Sequence, residues 1–234
     1  MQTAEGQSVS TACWSCAAPV VAAQPFCDAC GKVQPPLPAV DYFAAFGLPR
    51  KLNLDQSALE RSFYRLSRKL HPDVYAQASA NEQQWSLEQT SLLNDAYRTL
   101  KNPIARTEYL LKLEGMMLES GSDDGVARES RVPADLLEEV FELNMQLEEM
   151  RMTKKMGEDD PQLRKDLEAA RSNFESQLAA VDSNLENLRT TWDAAFDSPS
   201  AAETARLKDE MVALLDRRRY IRNLVRDVNE ALDA

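Results

Sequence analysis

Residues 59–73 read LERSFYRLSRKLHPD, and this stretch decides the fold. Leu59, Phe63, Leu66 and Leu70 recur at intervals of four, three and four, which marks the buried face of an amphipathic helix. Arg61, Arg65, Arg68 and Lys69 fall on other faces of that helix and turn a basic stripe to solvent. Pro72 cannot continue a helix and disfavours helical dihedrals at His71, so the helix ends there and the loop is stiffened. Asp73 is an acceptor for local backbone donors or for an arginine of a partner. A second amphipathic pattern follows through Trp85, Leu92, Leu93, Ala96, Tyr97 and Leu100. Two antiparallel helices with His71-Pro72-Asp73 at their tip are the expected result.

The chain has 234 residues, enough for one to three domains and a sizeable core. Only 7 glycines and long periodic stretches point to an all-α protein. A formal net charge of −11 makes it a poor general binder of nucleic acid or anionic membrane. Within that acidic chain, residues 50–70 carry Arg50, Lys51, Arg61, Arg65, Arg68 and Lys69 against Asp55 and Glu60. A local basic face of this kind is ordinarily a solvated helix surface; beside a turn motif it implies one acidic partner surface. No apolar run reaches membrane-spanning length. Residues 1–12 lack a basic region, an apolar core and any Arg, and they contain Glu5, so neither a secretory signal nor a mitochondrial leader is read there. The expected compartment is the cytoplasm, or the mitochondrial matrix if a transit peptide has been removed.

All four cysteines, Cys13, Cys16, Cys27 and Cys30, form one C-x2-C-x10-C-x2-C cluster. Each pair can turn two thiolates toward one ion, and two such knuckles close a tetrahedral shell that suits one structural zinc. A redox-active iron site has the same ligands, and two disulfides are the third reading. Gly31 after the second pair lets backbone donors approach the sulfurs. Trp14 and Phe26 are expected to cap this small fold.

Gln34-Pro35-Pro36-Leu37-Pro38 reads as a stiff extended linker, and residues 120–131, with SGSDDG, as a flexible one. Leu54-Asp55 offers an N-cap for the basic helix, and Asn102-Pro103 separates the second long helix from a shorter one. The last third carries three helical seams. The first runs through Leu136, Val140, Leu143, Leu147 and Met150, the second from Leu163 to Trp192. The third is Leu207, Met211, Leu214, Ile221, Val225, Val228 and Leu232. Residues 157–161 and 198–200 are the turns.

The first of these helices has more apolar residues than its seam requires. Leu137, Phe141 and Met145 recur every four residues, about a quarter-turn from the seam. Tyr220 and Leu224 do the same on the third helix. A stripe of this composition, edged by Glu138 and Glu142, is either a docking surface or a face covered by the preceding helices.

With Asp41-Tyr42-Phe43, Phe46-Gly47-Leu48-Pro49, His71-Pro72-Asp73 and Asn94-Asp95-Ala96-Tyr97, the middle of the chain resembles a J-domain of DnaJ-type co-chaperones. Adding Thr99-Leu100-Lys101-Asn102-Pro103, residues 105–111, Leu136-Leu137-Glu138-Glu139-Val140-Phe141-Glu142-Leu143 and Thr191-Trp192-Asp193-Ala194-Ala195, the whole chain resembles the HscB family of iron–sulfur cluster co-chaperones. Residues 13–36 look like the metal-binding extension of its eukaryotic members. The resemblance implies an all-α protein in three parts: a four-cysteine zinc-binding extension (1–34), a J-domain with an HPD loop (41–115) and a C-terminal three-helix bundle (133–234). It implies no enzyme but a two-ended adaptor in iron–sulfur cluster assembly. His71, Pro72, Asp73, Arg61, Arg65, Arg68 and Lys69 would engage a DnaK/HscA-type chaperone and stimulate its ATPase. Leu137, Phe141, Glu142, Met145 and Tyr220 would hold an IscU-type scaffold protein. Two residues depart from the family pattern: Val74 stands where a basic residue is common, and Glu138 where Met is frequent. Rival readings are a general J-protein with broad clients, and a metal or redox protein acting through the four cysteines. A nucleic-acid ribbon is disfavoured because Lys32 is the lone basic residue of the knuckle.

Overall fold

Two sequence signals frame the helix at the centre of the fold. Asp55 is extended, and its carboxylate accepts from the Ala58 amide at 3.0 Å, starting α2 (Gln56–Leu70). At the other end His71 leaves the helix at φ −55°, ψ 129°, as the following proline requires. The computed structural model describes residues 10–21, 23–38, 40–118, 133–158, 160–196 and 200–233. The polar linker read at 120–131 lies outside these residues, as do residues 1–9, 159 and 197–199, which include parts of the two expected bundle turns.

The chain divides into two compact units, residues 1–110 and 111–234. In the first, β1 (Ser10–Ala12) pairs antiparallel with β2 (Pro19–Val21). Then come α1 (Tyr42–Ala45), α2, and α3 (Ala80–Lys101). A shorter α4 (Pro103–Leu113) spans the boundary. Both α1 and α2 pack on α3. The expected apolar face of α2 is inward, with Leu59 and Leu70 buried and Phe63 stacked on Tyr97 of α3 at 4.1 Å. Tyr42 stacks on Tyr109 at 4.3 Å, which ties α1 to α4.

The buried face of α3 differs from the apolar pattern in its first half. Buried positions are Glu82, Ser86, Gln89, Leu93, Ala96 and Leu100, whereas Trp85, Leu92 and Tyr97 are half-buried. The spacing is that of one helix face, but its upper part is polar. Each buried polar group there needs a partner, and two of the partners lie outside α3. The Ser86 hydroxyl donates to the Leu70 carbonyl at 2.6 Å, and Lys32 meets Glu82 at 2.8 Å. A hydrophobic pattern cannot show a polar face of this kind.

The second unit is the expected three-helix bundle of α5 (Leu137–Met156), α6 (Pro161–Ala195) and α7 (Ala201–Asp233). Arg217 of α7 binds Asp135, which just precedes α5, at 2.6 Å, and Lys154 of α5 donates to the Ala231 carbonyl of α7 at 2.5 Å. α5 and α7 therefore run parallel, with α6 antiparallel between them in sequence. Val140, Leu143, Leu147 and Met150 are buried as expected. On α7 the seam is corrected. Leu215 and Leu224 are buried, while Leu214 and Val225 are half-buried beside them. A helix that faces two neighbours buries a wide arc, so adjacent apolar residues compete for the centre and spacing alone does not choose. Arg189 also sits on the α6 seam, one turn after Leu185 and 8 % exposed. Burial lowers its guanidinium pKa from the ordinary value, against the opposing pull of Glu186 and Asp182.

These packing differences predict a contrast on one helix. Leu143→Ala removes a side chain that is 1 % exposed and is expected to cost about 2–5 kcal/mol in urea unfolding. Phe141→Ala, two positions earlier and 68 % exposed, should change stability by no more than about 0.5 kcal/mol. Equal losses for both would mean that Phe141 is a core residue.

Candidate functional site

Three features gather the candidate residues: a tip, a sulfur cluster and a helix stripe. At the tip, Pro72–Tyr75 form one 3-10 turn, and His71, Pro72, Asp73 and Val74 are all exposed. Of the two uses open to Asp73, the local backbone bond is taken instead by His71. The His71 imidazole caps the turn, its Nδ1 accepting from the Asp73 amide at 3.3 Å. The Asp73 side chain lies 3.5 Å from the same nitrogen and is 90 % exposed, so its carboxylate is presented outward. The tip rests on a tied base. The Leu70 carbonyl, which the ending helix leaves without an amide partner, accepts from Ser86 at 2.6 Å and from Thr90 at 3.0 Å. Ser79 starts α3 with a capping box closed by Glu82. Arg61, Arg65, Arg68 and Lys69 are exposed along α2, and Arg68 and Lys69 stand in its last turn, where the helix dipole favours cations.

The sulfur cluster is built from two matching knuckles. In the first, the Cys13 amide donates to Ala18 at 2.8 Å and the Ala17 amide to the Cys13 carbonyl at 2.9 Å. In the second, Cys27 donates to Lys32 at 3.0 Å and Gly31 to Cys27 at 2.8 Å. The residue after each pair is left-handed: Ala17 at φ 58° and Gly31 at φ 70°. The glycine fits that conformation, whereas the alanine bears a strain that the knuckle must offset.

All four sulfurs lie within 4.8 Å of one another, with Cys13 and Cys27 buried and Cys16 and Cys30 exposed. Cys13–Cys30 and Cys16–Cys27 are 3.7 Å apart, too far for a disulfide. A tetrahedron with metal–sulfur bonds of about 2.3 Å has edges of about 3.8 Å, so these side chains fit one four-coordinate ion. Burial opposes ionisation of Cys13, but the Cys16 and Ser15 amides and the neighbouring thiols bring its pKa down to about 6. The Ala18 amide favours the Cys16 thiolate, yet the other sulfurs and burial push it up to about 12. Four thiols this close cannot all ionise without a cation among them.

Trp14 and Phe26 do not cap this cluster. The knuckle's own small core is Val20 with the two buried sulfurs, flanked by Ala18. Trp14 and Phe26 instead reach the helices: Trp14 meets Trp85 edge-on at 5.6 Å, and Phe26 joins Val33, Leu70 and Leu93. Gln34, read as the first linker residue, is buried and donates to Cys13 Sγ at 3.4 Å and to the Lys32 carbonyl at 2.8 Å. The knuckle thus packs on α2 and α3, an arrangement for which spacing held no signal.

Cys13→Ser combined with Cys16→Ser is expected to release the ion, read by elemental analysis, while the bundle keeps its helical content. Metal retained at one equivalent in the double variant would remove these sulfurs from the site.

The stripe on α5 is exposed, at 54 % for Leu137, 68 % for Phe141 and 60 % for Met145, with Glu138 and Glu142 exposed beside it. It lies farther from the seam than a quarter-turn, roughly 150° at about 100° per residue. Two residues that the periodicity reading missed extend it: Met152 and Met156, 59 % and 68 % exposed. Tyr220 is half-buried, and the parallel run of α5 and α7 sets it near the level of the first turn of α5. Leu224, its expected companion, belongs to the seam.

Residues 41–109 match the DnaJ domain family. The chain is 32 % identical over 182 residues to the iron-sulfur cluster co-chaperone protein HscB of Mus musculus, covering 76 % of this chain and 75 % of the mouse protein. In structure it is similar to human co-chaperone protein HscB, with a TM-score of 0.58, 26 % identity, and coverage of 94 % of this chain and 98 % of the human one. It is also similar to chaperone HscB from Vibrio cholerae, at 0.58 and 26 %, over 82 % of this chain and 98 % of the other.

Proposed function

Since this chain belongs to the HscB family of iron–sulfur cluster J-domain co-chaperones, we propose that it works as a two-ended adaptor. Its tip stimulates ATP hydrolysis by a DnaK/HscA-type chaperone, and its bundle delivers an IscU-type scaffold to that chaperone. The observation that carries this reading is the tip itself: an outward Asp73 carboxylate and an exposed His71 on a base tied by Ser86, Thr90 and the Ser79–Glu82 box. Little conformational entropy remains to be lost there on docking, so the contact can be specific although small. The basic residues of α2 raise the encounter rate with an acidic chaperone surface and orient it. Asp73, unused inside the molecule apart from its closeness to His71, is suited to an arginine of the partner.

Holding the scaffold on the α5 stripe raises its effective concentration at the chaperone without any change in either contact. Hydrolysis then traps the scaffold. No side chain of the adaptor makes or breaks a bond; the chemistry belongs to the chaperone. Cys13, Cys16, Cys27 and Cys30 would hold one structural ion, zinc or iron, which supplies folding energy rather than reactivity. The compartment follows the partners: the cytoplasm, or the mitochondrial matrix where they reside there.

Single-turnover ATPase assays test the adaptor. The chain alone should accelerate a DnaK/HscA-type chaperone, and chain plus IscU-type scaffold should exceed the sum of the two separate effects. Simple additivity with the scaffold, together with synergy for an unrelated unfolded client, would favour the general J-protein instead.

A further inference from the structure

The metal knuckle touches the two helix ends from which the tip is hung. Four residues near the cysteines make the join: Trp14, Phe26, Lys32 and Val33. Trp14 follows Cys13; its ring meets Trp85 of α3 edge-on at 5.6 Å, and its Nε1 donates to the Val33 carbonyl at 2.7 Å. Lys32 follows Cys30 by two; its ammonium lies 2.8 Å from Glu82, the residue that closes the capping box of α3. Val33 is completely buried with Leu70, the last residue of α2, and Leu93. Phe26 joins that cluster, and Lys69 of the basic helix lies 5.7 Å from its ring centre. The Gln34 amide connects the two knuckles, donating to Cys13 Sγ and to the Lys32 carbonyl.

Glu82 shows the dependence most directly. It is 6 % exposed, and its carboxylate faces Lys32 from the knuckle and Ser79 from its own helix. The two differ in kind. Ser79 is local and persists whenever α3 begins at residue 80, whereas Lys32 arrives only if the knuckle is folded. The knuckle cannot hold itself together by burial, since its own core is Val20, Ala18 and two sulfurs. An ion shared by the four thiolates would hold its backbone.

We propose that Trp14, Lys32 and Val33 are positioning residues for the His71-Pro72-Asp73 tip, so that occupancy of the four-cysteine site sets the strength of chaperone engagement. Without the ion the knuckle loosens, Glu82 loses its Lys32 partner and the Leu70 end of α2 loses Val33. The tip then samples more conformations and binds its partner more weakly, although its own residues are unchanged. This rests on the reading that the tip is the chaperone-binding element.

The test uses the full chain in four forms: metal-loaded, stripped by chelation, Lys32→Ala and Lys32→Arg, with His71→Gln as control. Amide exchange is followed at residues 71–90 and, for comparison, at 137–156. ATPase stimulation of a DnaK-type chaperone is titrated for both the half-maximal concentration and the maximum. Stripping should speed exchange at 71–90 about tenfold and raise the half-maximal concentration about fivefold, with the maximum and residues 137–156 unchanged. Adding zinc back should restore both. Lys32→Ala, retaining its metal by elemental analysis, should reproduce part of the shift, and Lys32→Arg should remove it. If exchange and half-maximal concentration stay fixed in a chain shown to be metal-free, while His71→Gln still abolishes stimulation, the coupling is overturned and the chaperone reading stands. If Lys32→Ala alone behaves as wild type in both readouts, the positioning role of Lys32 is overturned. Full stimulation by His71→Gln would overturn the chaperone reading and this coupling with it.

Discussion

His71→Gln should reduce stimulation of a DnaK/HscA-type ATPase to background, a fall of roughly a hundredfold or more, equivalent to about 2.7 kcal/mol or more. The physical ground is the separation between what His71 does for the fold and what it offers outside. Inside the molecule its Nδ1 accepts one long bond from the Asp73 amide, and its side chain is 55 % exposed. Losing so little should change stability by no more than about 0.5 kcal/mol. Outside, the imidazole and the Asp73 carboxylate present two adjacent polar groups, and an amide cannot reproduce the ring's shape. Circular dichroism and a thermal melt establish that the variant is folded, and steady-state ATP hydrolysis reads the effect. Retained stimulation by a folded variant would remove the tip from the mechanism.

Phe141→Ala with Met145→Ala should weaken binding of an IscU-type scaffold about thirtyfold to several-hundredfold, on the basis of about 1–2 kcal/mol for each central apolar anchor. Both side chains are more than half exposed, and neither belongs to the bundle seam, so the melting temperature should move by only a degree or two. Titration calorimetry of scaffold against wild type and variant measures the change directly. Adding Tyr220→Ala is a separate arm, because that ring is half-buried and its loss touches stability as well. Unaltered affinity accompanied by a large fall in melting temperature would mean that the stripe supports the fold rather than a partner.

The two sites differ in how much of them could be read from residues alone. The tip is local: a proline, its neighbours and the faces of two consecutive helices are set by dihedral preference and periodicity. The stripe is local too, since apolar residues in excess of a seam are visible on a helical wheel, although Met152 and Met156 fall outside a strict four-residue repeat. The choice of Leu215 and Leu224 over Leu214 and Val225 was not legible, because both members of each pair satisfy the same periodicity. Arg189 was not legible either, since burial of a guanidinium depends on neighbours that no local pattern specifies.

By itself the sequence determined the all-α class, the two helices with the tripeptide at their tip, the three bundle helices and the pairing of the four cysteines into one cluster. Each of these follows from periodicity, from proline stereochemistry or from the fixed spacing of paired thiols, which act over a few residues. Only the tertiary structure decided where the knuckle lies. Trp14, Phe26, Lys32 and Gln34 read as a cap, a stray charge and a linker, but three of them turn to the helices and the fourth bridges the knuckles. One reason is that α3 buries the Glu82 carboxylate, and a buried charge is favoured where a cation adds to its hydrogen-bond donors. That cation comes from Lys32, fifty residues away in the chain.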